Sequence, residues 1–423
     1  MGHTHAKGRP SGPSARRRRM RVVLLLTLLP FVVATVVGAV LLWPEPYSPP
    51  EGFEDPFAQP GVEFQSAPVV GVLPVPCPDD GVTDEARTCA DLVVRLPDGT
   101  EATLEVAPSV IETGIGPGTR VHVVHLPGSD GRPDTYSFVD VDRGRSLGAL
   151  AAVFALLVVA VARLRGLAAI AGLFIAFWVL RQFMLPALLT GEPAIPVAVV
   201  GSALIMFVAL YVAHGVSLRT TTAVLGTMFG LAATALLGWL MTEVAFLTGA
   251  GGDDQLLLAA LAPDLQLRGV LLAGLVLAGL GVLNDVTVTQ ASSVWELHEA
   301  HPSMGAQRLF TSAMRIGRDH IASSVYTLVF AYAGAALPIL LLIAVYERPL
   351  RDVVSTEAIA EEVVSTLVGA SGLVLAVPLT TLLGAVVVTA ASRPTRAGHR
   401  WGEQGAGAGG PSAAAAPLPD GPS

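Results

Sequence analysis

Lysine is all but missing from this chain: of its 26 basic residues only Lys7 is not an arginine. Charge of either sign is scarce as well, at 14% of residues, where a soluble domain carries about 25%. Cysteine is confined to Cys77 and Cys89, and neither has the neighbours of a zinc site. Signatures of catalysis are missing too. There is no GxSxG elbow, no P-loop and no Rossmann fingerprint after a strand. The run "HEAH" ending at His301 spaces its histidines too closely for the HExxH zinc helix. No enzyme, metal, cofactor or nucleic-acid partner is therefore expected.

What the chain has instead is hydrophobicity. Its 423 residues are 52% hydrophobic, with a mean hydropathy of +0.61. Several runs exceed the ~18 apolar residues that mark a membrane helix. The fold class expected is an all-α polytopic membrane bundle of about eight transmembrane helices, with the lipid bilayer as its first partner.

Residues 1–21 form a basic N-terminus rich in arginine, and 22–43 form the first span, too long for an ordinary cleaved signal. Seven further apolar segments follow, near 147–162, 167–188, 195–213, 220–247, 269–290, 320–346 and 363–391. Alternation from a cytoplasmic N-terminus puts Arg163, Arg165, Arg219, Arg308, Arg315, Arg318 and Arg393 inside. Only Arg268, Arg348 and Arg351 fall in the outer loops between spans, so the count obeys the positive-inside rule; Arg143 and Arg145 run against it. Both termini are thus expected in the cytoplasm of a bacterial plasma-membrane protein. The Gly/Ala/Pro-rich tail within 392–423 reads as disordered.

Residues 44–146 are the one sizeable polar segment. After a proline-rich linker come five β-like runs, "PVVGVLPV", "ADLVVRL", "EATLEV", "TRVHVVHL" and "YSFVDV". Turn residues such as Pro97-Asp98-Gly99 separate them. This predicts a small all-β extracytoplasmic domain between helices 1 and 2, a barrel or sandwich that could be OB-like. In that compartment a Cys77–Cys89 disulfide is favoured over two free thiols.

Chemistry concentrates where the run 269–290 continues as helix. At 100° per residue, Asp285, Thr289, Ser292 and Glu296 fall within ~60° of one another. An aspartate at mid-membrane costs roughly 2.5–3.5 kcal/mol, so such a face must meet protein, water or a ligand. The next span carries Arg315, Arg318, Asp319 and Tyr326 on one stripe by the same arithmetic. Asp285 with Arg315 or Arg318 is the pairing expected. It serves either as a structural ion pair or as an ion or solute site. Arg181, Glu243 and His214 are lesser candidates. In the last span Pro378 is expected to break the helix, with Thr380 and Thr381 helping to satisfy the freed carbonyl. The pair Gly226 and Gly230 fits a close helix contact.

The stretches "GLGVLNDVTVTQASSVWEL", "SAMRIGRDHIASSVYTLVFAYAGAALP" and "STLVGASGLVLAVPLTTLLGA" resemble the YibE/F family of bacterial membrane proteins. The likeness spans most of 140–391 and includes Gly281, Asp285, Ser292, Glu296, Gly317, Arg318, Asp319 and Pro378. Thr289, Gln290 and His320 depart from the residue types usual there. The resemblance implies a seven-helix membrane domain over 147–391 and no settled activity. The leading expectation is a permease or channel for an unidentified ion or small solute. In it Asp285 is the cation or proton site, and Arg318 with Asp319 the gate or counter-charge. The alternative is a non-transporting membrane component whose outer domain binds an envelope ligand or partner protein; a homo-oligomer or an envelope protein is the partner expected.

Overall fold

The computed structural model describes residues 13–47, 61–76, 89–128, 134–345 and 349–392. Cys77, Arg348, Arg393 and the Gly/Ala/Pro-rich tail lie outside them. The first helix, α1 (Pro13–Leu41), turns one stripe inward: Leu24, Leu28 and Thr35 are buried, and Gly38 lets Val200 approach. Most of its other apolar residues, among them Leu25, Leu26 and Val36, are exposed, as a lipid-facing surface requires.

The β-like runs all form strands: β1 (Glu63–Val75), β2 (Cys89–Arg95), β3 (Glu101–Glu105), β4 (Arg120–Leu126) and β5 (Thr135–Val141). They make one antiparallel sheet in the order β3-β2-β1-β4-β5. Long β1 serves both halves. Its first part pairs with β4 and, beyond a bulge at Val69/Gly71, its second part pairs with β2. That bend curls the sheet until the edge strands β3 and β5 lie close together. The short helix α2 (Pro108–Glu112) brings Val110 and Ile111 against the core of Val69, Leu92, Val94, Leu104, Val121 and Val123. The turn expected at Pro97-Asp98-Gly99 is present. Asp98 accepts from the Thr100 N–H at 2.9 Å, and Gly99 takes φ +86°. Cys89 is disulfide-bonded.

From Gly144 to Ser392 the described residues are helical almost throughout. The helix α3 (Gly144–Val179) is interrupted at Arg163 (φ 56°, ψ −131°). A Cβ at Gly166 would sit 2.5 Å from the Val158 carbonyl oxygen, so the helix kinks there into two arms. A single π-helical turn, Leu180–Met184, leads into α4 (Leu185–Leu189), whose Pro186 has no N–H to offer an α-helical ladder. Then come α5 (Ala194–His214), α6 (Leu218–Val244), α7 (Asp253–Leu261) and α8 (Leu267–Ala300). The remainder is α9 (Ala306–Ala335), α10 (Leu337–Val345), α11 (Leu350–Val354) and α12 (Glu357–Ser392).

Among the described residues six helices are long and apolar enough to cross a membrane. There are seven if α9 and α10, bent by 62°, form one span. The apolar run expected as a span near 320–346 thus carries a 62° bend between α9 and α10.

At the bundle's heart α6, α8 and α12 pack closely, and glycine is the reason. The Thr380 side chain sits directly on Gly226, and that of Thr234 on Gly372. Leu283 and Ala376 fill the space at Gly230. The expected close contact at Gly226 and Gly230 is thus real, and packing rather than a hydrophobic drive holds helices together in lipid. One end of the bundle gathers Arg21, Arg219 and His298 around a shared cavity. At the other end Arg268 pairs with Glu243 at 2.8 Å. There Glu357 also accepts from the Thr248 N–H (2.6 Å), the Thr248 hydroxyl (2.5 Å) and the Gly249 N–H (3.1 Å).

Candidate functional site

The bundle's interior is polar to a degree that hydropathy hides. Gln290 of α8 is 2% exposed and donates to the Ala313 carbonyl (3.0 Å) on α9 and to the Thr381 hydroxyl (2.7 Å) on α12. One side chain therefore joins three helices. Ala313 and Gly317 make room for it: a Cβ at Gly317 would lie 3.0 Å from the Gln290 side-chain oxygen. Three residues earlier on α8, the Thr287 hydroxyl bonds that of Thr227 on α6 at 2.6 Å. In a medium without water such groups must find partners, and each interhelical bond is worth about 0.6–2 kcal/mol.

The polar stripe of α8 looks elsewhere. The Asp285 side chain is 74% exposed, Glu296 is exposed, and Thr289 and Ser292 are half-buried. On α9 the buried residues are Leu309, Ala313, Gly317 and Leu328, a stripe with two small residues at its middle. The charged side of α9 consequently points away from α8 and α12. Arg315, Arg318, Asp319 and Tyr326 are all exposed, and among the described residues Arg315 reaches only the Ser312 hydroxyl, at 3.4 Å.

The expected pairing of Asp285 with Arg315 or Arg318 is not formed. Its neighbour is His320, with Nε2 at 3.8 Å from Oδ2. The reason is hairpin arithmetic. In two antiparallel helices turning between His301 and Gly305, residues about equally far from the turn lie level, which matches Asp285 with His320 and Gln290 with the Ala313–Gly317 turn of helix.

Asp285 also lines a cavity of about 340 Å³ between α3, α5 and α8, together with Asn284, His214, Gly172 and Ala209. The Asn284 Oδ1 is buried there without a hydrogen-bond partner among the described residues. A carboxylate, an amide oxygen and two imidazoles within this region make a set that can bind a cation or pass a proton. No cluster of three or more metal-ligating side chains occurs among the described residues.

The lesser candidates separate. Arg181 is exposed, and Glu243 is held by Arg268. The break expected at Pro378 does not occur: α12 runs unbroken from Glu357 to Ser392. Close packing on α6 and α8 at Gly372, Ala376 and Gly384 flanks the proline on both sides and keeps the helix continuous. Thr380 and Thr381 do donate to carbonyls, but to those of Ala376 (2.8 Å) and Val377 (2.6 Å) rather than to the one proline frees. Gln290 and His320 were missed as structural centres. The signal available was that both depart from the residue types usual at their positions.

Among curated proteins and among solved structures none matches the chain. The family model described as YibE/F-like protein matches residues 150–390, from within the first arm of α3 to the end of α12. That is more than half of the chain, and it takes in Asp285, Gln290 and His320. The chain belongs to the YibE/F-like family.

Proposed function

We propose that the chain is a multi-pass plasma-membrane permease or channel for an ion or small solute. In this reading Asp285 is the cation or proton site, and Arg318 with Asp319 supplies gate or counter-charge. The observation that carries it is the company Asp285 keeps. A structural ion pair would set a permanently charged guanidinium against the carboxylate, whereas here the neighbour is an imidazole, whose ring nitrogens can either donate or accept a hydrogen bond. Asp285 also borders a cavity with an unpartnered amide oxygen, and ionisable groups so placed in membrane helices commonly mark pathways.

Counting the two arms of α3 and the bent α9–α10 as spans gives eight crossings. With the N-terminus in the cytoplasm, as the arginine count favours, eight crossings would return the C-terminus there and leave residues 44–146 outside. The strand order, the shared bent β1 and the helix between β3 and β4 support an OB-like reading of that outer domain. No catalytic role is proposed.

The test is charge movement in proteoliposomes across a panel of ions and solutes at two pH values. Asp285→Asn abolishes a solute-dependent current while the protein stays folded, because this side chain is mostly exposed. Loss of folded protein in Asp285→Asn, rescued by exchanging Asp285 and His320, would instead mark a structural pair. A second reading, in which the sheet binds an envelope ligand or partner, is favoured by its own separate hydrophobic core. It predicts that deleting 50–140 removes function while the bundle assembles.

A further inference from the structure

A second cavity, of about 370 Å³, opens at the arginine-rich end where α1, α6, α8 and α12 meet. Its wall includes Arg21 from α1 and Arg219 from α6, and neither makes an ion pair among the described residues. The positive end of the α6 dipole also opens here. Ser217 caps that helix by accepting the Thr220 N–H at 3.1 Å.

The third contributor is His298, from the "HEAH" run that fails as a zinc motif. It is only 5% exposed, lines this cavity, and its Nδ1 has no hydrogen-bond partner among the described residues. A buried ring nitrogen is ordinarily satisfied, so one without a partner beside two guanidiniums outside any ion pair among the described residues points to a ligand. Glu299, exposed on the same wall, is the one opposing charge.

The geometry points to an anion site for a phosphate group, held by Arg21, Arg219, His298 and the start of α6. A phosphate oxyanion offers several acceptors to the planar donor forks of two arginines, and basic pockets between helices are suited to such groups. Trp295, Val388 and Ala391 complete the wall with apolar surface, which fits an organic phosphate ester. The same chemistry is offered by an anionic lipid headgroup and by a free phosphate compound.

The test has two arms on the full chain. In one, protein in phosphatidylcholine nanodiscs is titrated calorimetrically with inorganic phosphate. In the other, retention of phosphatidylglycerol is measured by native mass spectrometry. Binding is expected in at least one arm, and which one identifies the source. The Arg21→Gln/Arg219→Gln variant should bind at least about tenfold more weakly, since charge-assisted bonds are lost. Its unliganded melting temperature should match wild type, both side chains being at least partly exposed. Glu299→Gln should bind more tightly. Absence of binding in both arms, or equal binding by wild type and the double arginine variant, would overturn the proposal.

Discussion

Replacing Gln290 by leucine keeps the volume of a side chain that is 2% exposed and removes its two interhelical hydrogen bonds. At about 0.6 kcal/mol each on the membrane average, the loss is about 1–1.5 kcal/mol. Gln290→Ala deletes the volume as well, and a cavity of that kind adds about 2 kcal/mol or more. The variants should therefore rank wild type, leucine, alanine, with the second step larger. Thr381 isolates the shorter bond, since its own donation to the Val377 carbonyl stays within α12. In a double-mutant cycle of Gln290→Leu with Thr381→Val, the coupling should be about 0.6–1.7 kcal/mol. Reversible unfolding in mixed detergent micelles measures all four corners. A coupling within the ~0.3–0.5 kcal/mol of simple additivity, or a leucine variant as stable as wild type, would refute the account of Gln290 as the three-helix junction.

Gly226→Ala should destabilise the bundle by about 1–3 kcal/mol, as overpacking does, and Thr380→Ala should restore most of it, because the Thr380 side chain occupies that space. On the sheet, His125 is raised above its ordinary 6.5, first by its 3.0 Å hydrogen bond to Asp134, while Asp134 is lowered from 3.8 by the Gly128 N–H and by His125. The His125 contribution is full below pH 6.5 and fades as pH rises through its raised value. That of Asp134 is full above pH 3.8 and fades as pH falls through its lowered value. The sheet is thus held best between these limits, and in Asp134→Asn an NMR titration of His125 should shift down towards its ordinary value. Glu357→Gln turns charge-assisted bonds to Thr248 and Gly249 into neutral ones, and exchange of those two amides should quicken by about fivefold, near 1 kcal/mol.

Much of this architecture is legible in the sequence because its signals are local. Alternation and the Pro97-Asp98-Gly99 turn give all five strands, and apolar runs separated at Arg163 give the two arms of α3. The helical wheel likewise puts Asp285 and Glu296 on one side of α8. It cannot say which way that side looks. Burial on α9 is decided by the small residues Ala313 and Gly317, which let α9 approach Gln290, and size carries no weight in a polarity count. The bend between α9 and α10 is hidden for a related reason, since the residues around Ala336 are as apolar as any in a straight span. Gln290 reads as a polar intrusion until Thr381, far along the chain, is seen beside it.

The threonines of the inner helices have a mechanical consequence. Thr222, Thr227, Thr380, Thr381 and Thr389 each return a hydroxyl bond to a carbonyl of their own helix. Among the described residues no side-chain hydrogen bond crosses from α6 to α12, whereas α8 is pinned to α6 through Thr287 and to α12 through Gln290. The α6–α12 seam is held by teeth instead, Thr380 over Gly226 and Thr234 over Gly372. Shear along that seam has no smooth track. It would proceed by ratchet, one helical turn or about 5.4 Å at a time, with the two pins of α8 as the catches that must lift first.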